Sequence, residues 1–242
     1  MILRRFIEHL STQNWFAVGL DVLVVITGIF LGMQASEWNE NRKSRQLENE
    51  YLNRLHEDFS HNLDQAKHLS QLHASVSDEL NEIGKILLKD DFGAEHLNQL
   101  NDIPFRYYIY PSANFRMGTY EELVSTGKLS LIQSSKVKAA IQQAAVEYNR
   151  THGQLAYFRT LVAQSDIDLR GHENYSLDES GNAKIDIDFE SARSDKDFLR
   201  SLFAESRRHF LFSRYHQLES ELTAESLALL SCQLKMADCE KL

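Results

Sequence analysis

The chain has 242 residues, 43% apolar and 25% charged, which supports a packed core and excludes a compositionally disordered protein. Its formal charge of -9 and pI near 5.6 speak against nucleic acid as a partner. Two cysteines exclude a disulfide-dense scaffold, and two prolines with ten glycines are too few for a sandwich or barrel, which leaves long helices.

Residues 1–14 read as a tail that ends in the polar run Ser11-Thr12-Gln13-Asn14. From Trp15 to Ala35 the sequence is WFAVGLDVLVVITGIFLGMQA, without Lys or Arg and with Asp21 as its one formal charge. About 21 helical residues cover roughly 31 Å, the thickness of a bilayer's hydrocarbon layer. Trp15 and Trp38 bracket the run at headgroup level, so 15–36 is expected to be a transmembrane helix. The competing reading is a buried core helix; the near-unbroken apolar length, the tryptophan bracket and the polar flanks decide against it. A cleaved signal peptide fits less well, because the run is too long and lacks a small-residue cleavage site.

At 100° per residue, Ala17, Asp21, Gly28, Gly32 and Ala35 fall close to one line down this helix. Gly28-Ile29-Phe30-Leu31-Gly32 is a GxxxG step, which lets two backbones approach closely in lipid. The stripe therefore predicts a helix–helix interface between copies of the chain, with Asp21 on it. A carboxylate there is either shielded by neighbours and partly protonated, snorkelling to the headgroups, or lining an ion path. Arg42, Lys43 and Arg45 on one flank, against Arg4 and Arg5 on the other, favour a cytoplasmic C-terminal domain, with the periplasmic orientation as the alternative.

Residues 37–89 contain no proline, and Leu52, Leu55, Phe59, Leu63, Ala66, Leu69, Leu72, Val76, Leu80, Ile83 and Leu87 recur in steps of three and four. That spacing predicts a long stalk helix with a coiled-coil face, roughly 75 Å long for about fifty residues. Pro104 and Pro111 enclose the aromatic run from Phe105 to Tyr110, so 90–113 is expected to be irregular, its rings capping a bundle. Residues 114–242 are expected to form a helical bundle. Thr119 and Glu122 fit a capping box and Gly127 a left-handed stop. A longer helix is expected from about Ser135 to Leu169, then a polar surface loop over 171–190. A last helix over Ser194–Met236 should bury Phe198, Leu199, Leu202, Phe203, Phe210, Leu211, Tyr215, Leu218, Leu222, Leu227 and Leu230. The fold class is all-α: an N-terminal transmembrane helix, a stalk, and an antiparallel bundle.

Little in the sequence points to chemistry. The ten histidines show no metal-ligand spacing and are expected on surfaces or boundaries, so no metal or other cofactor is predicted. The carboxylates are expected on solvated faces, with no phosphate loop, nucleophile elbow or Cys–His signature, so no enzyme is expected. Cys232 and Cys239, if helical, stand about 10 Å apart and out of disulfide reach.

Asp21, Leu23-Val24-Val25-Ile26, Gly28, Gln34 and Trp38-Asn39-Glu40 resemble the start of an uncharacterised family of bacterial single-span membrane proteins. The resemblance resumes at Tyr120-Glu121-Glu122-Leu123, Ser125-Thr126-Gly127-Lys128-Leu129, Leu131-Ile132 and Tyr148. The family's membrane acid is usually Glu, and Asp21 shortens it by one methylene. The resemblance implies a bacterial inner-membrane anchor and no established activity. The expected function is a membrane-anchored scaffold or interaction protein. It would be a homo-oligomer through span and stalk, with lipid and an unidentified protein as further partners. A conducting assembly using Asp21 and a ligand-sensing bundle are the alternatives.

Overall fold

The computed structural model describes residues 15–111, 113–164, 169–177 and 180–236; for 15–18, 159 and 161–164 only the backbone is described. Trp15, Ala17 and Cys239, singled out above, have side chains outside the described residues. The chain divides into two units, Met1–Glu50 and Tyr51–Leu242. Among the described residues it is all-α, with six α-helices and one two-stranded sheet.

Helix α1 (Trp15–Leu87) runs unbroken through the expected span and stalk. From Leu20 to Met33 its large apolar side chains are exposed, from 52% at Val22 to 67% at Met33. The helix is long and apolar enough to cross a membrane.

In the second unit α1 is the first member of a bundle completed by α4 (Ser135–Gln164) and α6 (Lys196–Gln233). Ser77 meets Ser206, Ser70 meets Ser213 and His56 meets Ser231, so α1 and α6 run antiparallel. A line of buried positions on α1 runs Leu52, Leu55, Phe59, Asn62, Ala66, Leu69, His73, Val76, Leu80, Ile83 and Leu87, in steps alternating three and four, with Tyr51, Ser77, Gly84 and Ile86 buried beside it. Two expected core residues, Leu63 and Leu72, are displaced to half-buried sites by Asn62 and His73, because the alternating rhythm holds where the apolar one slips. This face is covered within its own chain.

The end of α1 is capped from a distance. Arg193 donates from Nε to the Leu87 carbonyl (3.0 Å) and from its terminal nitrogen to that of Lys89 (2.7 Å), which satisfies carbonyls the helix leaves open. Gly84 has a packing reason: a Cβ there would lie 2.5 Å from the Phe203 ring.

The connection after α1 is less irregular than expected, since Ala94–Asp102 forms helix α2 and buries Leu100. Beyond it Phe105 packs on Phe198 and Phe189, next to the cluster of Val76, Leu80, Ile83, Leu87 and Leu202. Helix α3 (Gly118–Ser125) starts one residue before the expected cap: Met117 is the N-cap without a side-chain bond, and Thr119 is buried. The capping box does not form, because the Glu122 carboxylate is used elsewhere. Gly127 is left-handed as expected, with φ +70°.

The expected surface loop 171–190 contains a hairpin, β1 (Glu173–Leu177) antiparallel to β2 (Ala183–Ile187), with Tyr175 opposite Ile185. Gly181 takes a positive φ of +80° in the turn. A four-residue helix α5 (Phe189–Ala192) follows. Asp195 then caps α6 by accepting from the Asp197 and Phe198 amides.

Helix α6 ends at Gln233 rather than near Met236. The Lys235 and Met236 amides bond back to the carbonyls of Cys232 and Ser231, with Lys235 left-handed at φ +58°. That is a Schellman stop with lysine where glycine is usual. Cys232 is disulfide-bonded, which corrects the expectation of two thiols on one helix, because the helix stops between them.

Candidate functional site

Two sets of residues require a functional account, one in each unit. In the first unit Asp21, Gly28, Gly32 and Ala35 lie on one edge of α1, as the spacing predicts. Among the described residues no atom lies within 4 Å of a Cβ built on Gly28 or Gly32, so this edge is open to another backbone. The expected anchor Trp38 is 68% exposed, with the Arg42 guanidinium 5.9 Å from its ring centroid.

The second unit holds a seam of buried polar groups that the sequence reading placed outside. On α6 a line of buried positions runs Phe198, Leu202, Glu205, His209, Phe212, His216, Glu219, Thr223, Ser226 and Leu230, again in alternating steps of four and three, with Ser201, Ser206 and Ser213 buried beside it. Phe203, Phe210, Leu211 and Leu218, expected in the core, are exposed instead. The histidines expected at the surface are therefore partly wrong: His73, His209 and His216 are fully buried. So are the carboxylates Glu205 and Glu219, which were expected on solvated faces.

Each buried group sits on a specific partner. His209 donates from Nε2 to the Tyr107 carbonyl (2.9 Å), so in the neutral ring its Nδ1 accepts from His73 Nδ1 (2.9 Å). Tyr110 stacks on His209 with ring centroids 4.5 Å apart and donates to Glu205 (2.7 Å), which Arg208 also holds. Burial pushes the His209 pKa down to about 4, helped by Arg208 and opposed by the Tyr107 carbonyl and Glu79. Burial and then Glu205 raise Tyr110 well above the usual phenol range. The aromatic run is thus pinned along the bundle's flank as well as at its end, and only Tyr108 stays largely exposed.

Further along, Tyr148 donates to Thr223 Oγ1 (2.5 Å), which donates to the Glu219 carbonyl (2.5 Å). Burial pushes Tyr148 up to about 12. His216 Nδ1 contacts Glu219 Oε2 at 2.6 Å, with neither side chain exposed at all. Asn62 bonds both the amide and the carbonyl of Arg116. Among the described residues no group of three or more His, Cys, Asp or Glu side chains is arranged to hold a metal ion.

A third cluster explains the second block of the sequence resemblance. Glu122 accepts from Tyr51 (2.6 Å) and Arg54 (2.6 Å), while Lys128 donates to Tyr51 (3.1 Å). Arg54 and Lys128 both approach the Tyr51 ring face, at 5.3 and 5.6 Å. The Arg54 and Tyr51 hydrogen bonds hold the Glu122 carboxyl below its ordinary range. Gly127 gives the turn that returns Lys128 to α1.

A family model described as a family of unknown function, DUF6090, matches residues 21–169. The chain belongs to DUF6090. No curated protein and no solved structure matches it. The matched region begins at Asp21 and takes in the Tyr51–Arg54–Glu122–Lys128 cluster. His73, Tyr110 and Thr151 lie inside it, whereas α6, which supplies His209, His216 and Glu219, lies beyond it. The buried polar seam was missed because apolar periodicity does not register polar groups that pair. Continuing the strict three–four rhythm from Leu52 and from Phe198 lands on Asn62, His73, Glu205, His209, His216 and Glu219.

Proposed function

We propose that this DUF6090 chain is a membrane-anchored helical scaffold of a bacterial inner membrane, spanning it once and assembling with copies of itself through the edge carrying Ala17, Asp21, Gly28, Gly32 and Ala35. The observation that carries the reading is the apolar run from Leu20 to Met33, each of whose large apolar side chains exposes more than half its surface. A soluble protein does not leave such a run uncovered, and lipid is the cover that its length matches. The open glycine edge supports close packing of copies, and it holds the carboxylate away from acyl chains. Since the stalk's apolar face is used within the bundle, the span is the element left for self-association.

The test is the oligomeric state in nanodiscs by light scattering. The wild type runs as a discrete oligomer, and Gly28→Leu with Gly32→Leu shifts it to monomer; a wild-type monomer at every concentration overturns the reading. Asp21 lies on the same edge, which keeps a conducting assembly as a second reading. If Asp21 lines a path, Asp21→Asn abolishes proton or cation leak from liposomes with assembly size unchanged, whereas a scaffold shows no leak to abolish. The disulfide at Cys232 supports an oxidising surrounding for Tyr51–Leu242, hence the periplasmic alternative rather than the cytoplasmic side favoured by flank charge.

A further inference from the structure

Helices α4 and α6 pack antiparallel, in a register fixed by the Tyr148–Thr223 hydrogen bond (2.5 Å) and by the Phe158 and Phe212 rings, 5.4 Å apart. This register sets Thr151 level with Glu219 and Gln154 level with His216. Four atoms at these positions are buried and lack a hydrogen-bond partner among the described residues: Thr151 Oγ1, Gln154 Oε1, His216 Nε2 and Glu219 Oε1. The His216–Glu219 contact (2.6 Å) uses Nδ1 and Oε2, so it leaves the far nitrogen of the ring and the second carboxyl oxygen without a partner. From helix α1, the His73 ring stacks on His216 with centroids 5.7 Å apart, covering one face of the His216 imidazole. The Ser70–Ser213 bond sets the fully buried Ala66, the smallest side chain on its inward face, opposite the turn between His216 and Glu219.

Buried polar atoms are as a rule paired, and four orphans in one turn-and-a-half of a seam require partners. The two side-chain oxygens Gln154 Oε1 and Glu219 Oε1 need donors, Thr151 can donate or accept, and His216 Nε2 does one or the other according to its tautomer. A single metal ion does not meet this set, because Nε2 and Oε1 lie at opposite ends of the His216–Glu219 pair. Water, with two donors and two acceptors, does. We propose that α4 and α6 enclose an internal water site, in which one bound water bridges Thr151 to Glu219 and another bridges Gln154 to His216. The pair His216–Glu219 is thereby kept in hydrogen-bonded contact with exchangeable protons inside a bundle that is otherwise closed around it.

Thr151→Val tests this by the sign of its effect, because the two side chains are nearly the same shape. In a hydrated site the substitution deletes a hydrogen bond and lowers the melting temperature of the full chain in nanodiscs by a few degrees. In a dry site it removes an unsatisfied hydroxyl and leaves the melting temperature unchanged or raised, which overturns the proposal. Should the valine variant fail to fold, the unmodified protein with a labelled Thr151 methyl group gives a second readout. Long-lived cross-relaxation between that methyl and water is expected, and its absence overturns the proposal equally.

Discussion

His209 shows how a single buried ring ties stability to pH. Its Nε2 proton is committed to the Tyr107 carbonyl and its Nδ1 lone pair to His73, so a second proton on the ring removes the contact between α1 and α6. The folded pKa is about 4 against an ordinary 6.5, so between those values the unfolded chain binds more protons than the folded one. The contribution is therefore complete above pH 6.5 and is lost as pH falls toward 4; the shift corresponds to about 3 kcal/mol. Carboxylates titrate in the same range, which makes the comparison with a variant decisive. Denaturant midpoints of wild type and His209→Gln are expected to differ most at neutral pH and to converge toward pH 4. Curves that stay parallel throughout would refute this assignment of His209. At the same scale, the Glu122 carboxyl is held down by Arg54 and Tyr51, so it acts in the same direction at lower pH, where its protonation releases α3 from α1.

Among the elements, the ends of α1 and α6 carry the most specific chemistry. The C-terminal carbonyls of α1 are closed by Arg193, whose guanidinium also lies 5.0 Å from the Phe92 ring centroid, so one side chain ties α5's exit to α2's entry. Arg193→Met keeps the aliphatic stem and loses both charge-assisted bonds, with an expected cost of about 2 kcal/mol. Hydrogen exchange should localise the effect, with amides of the last turn of α1 exchanging faster and those around Phe59 unchanged. Protection that is lost evenly across α1 would argue against a local cap. That α1, α4 and α6 are long helices was legible in the sequence, because long periodic segments between Pro, Gly and polar breaks leave few alternatives. Their inward faces were legible only where those faces are apolar. Helix α6 offers two candidate stripes; the one with Phe210, Leu211 and Leu218 is richer in hydrocarbon, yet the one with His209, His216 and Glu219 goes inside because its polar groups meet partners on α1, α4 and the aromatic connection. The hairpin was hidden for a related reason. Tyr175, Leu177, Ile185 and Ile187 alternate as a strand requires, but the Asp, Glu, Ser and Lys residues among them dilute the signal to that of a loop.

At the scale of the whole molecule, the proposed membrane anchor makes the side on which Tyr51–Leu242 would lie a matter of flank charge against disulfide chemistry. Two arguments oppose each other. Arg42, Lys43 and Arg45 exceed Arg4 and Arg5 by one charge, a small bias in a rule that works by statistics over flanking loops. The disulfide at Cys232 depends instead on the redox poise of a compartment, since a glutathione-reduced cytosol does not maintain ordinary structural disulfides. One marginal charge is a weaker determinant than a bond that only one side preserves. The bond also has a structural setting: the Schellman stop at Lys235 turns the chain back on the last turn of α6, where Ser231 meets His56 of α1. On this reading a membrane-impermeant maleimide added to spheroplasts leaves Cys232 unlabelled until an impermeant reductant is supplied, and then labels it. A chain whose cysteines are labelled only after the membrane is opened, with no reductant needed, would place Tyr51–Leu242 on the cytoplasmic side and restore the flank-charge argument. Reduction on the oxidising side is further expected to lower the melting temperature, because it removes a cross-link at the last turn of α6.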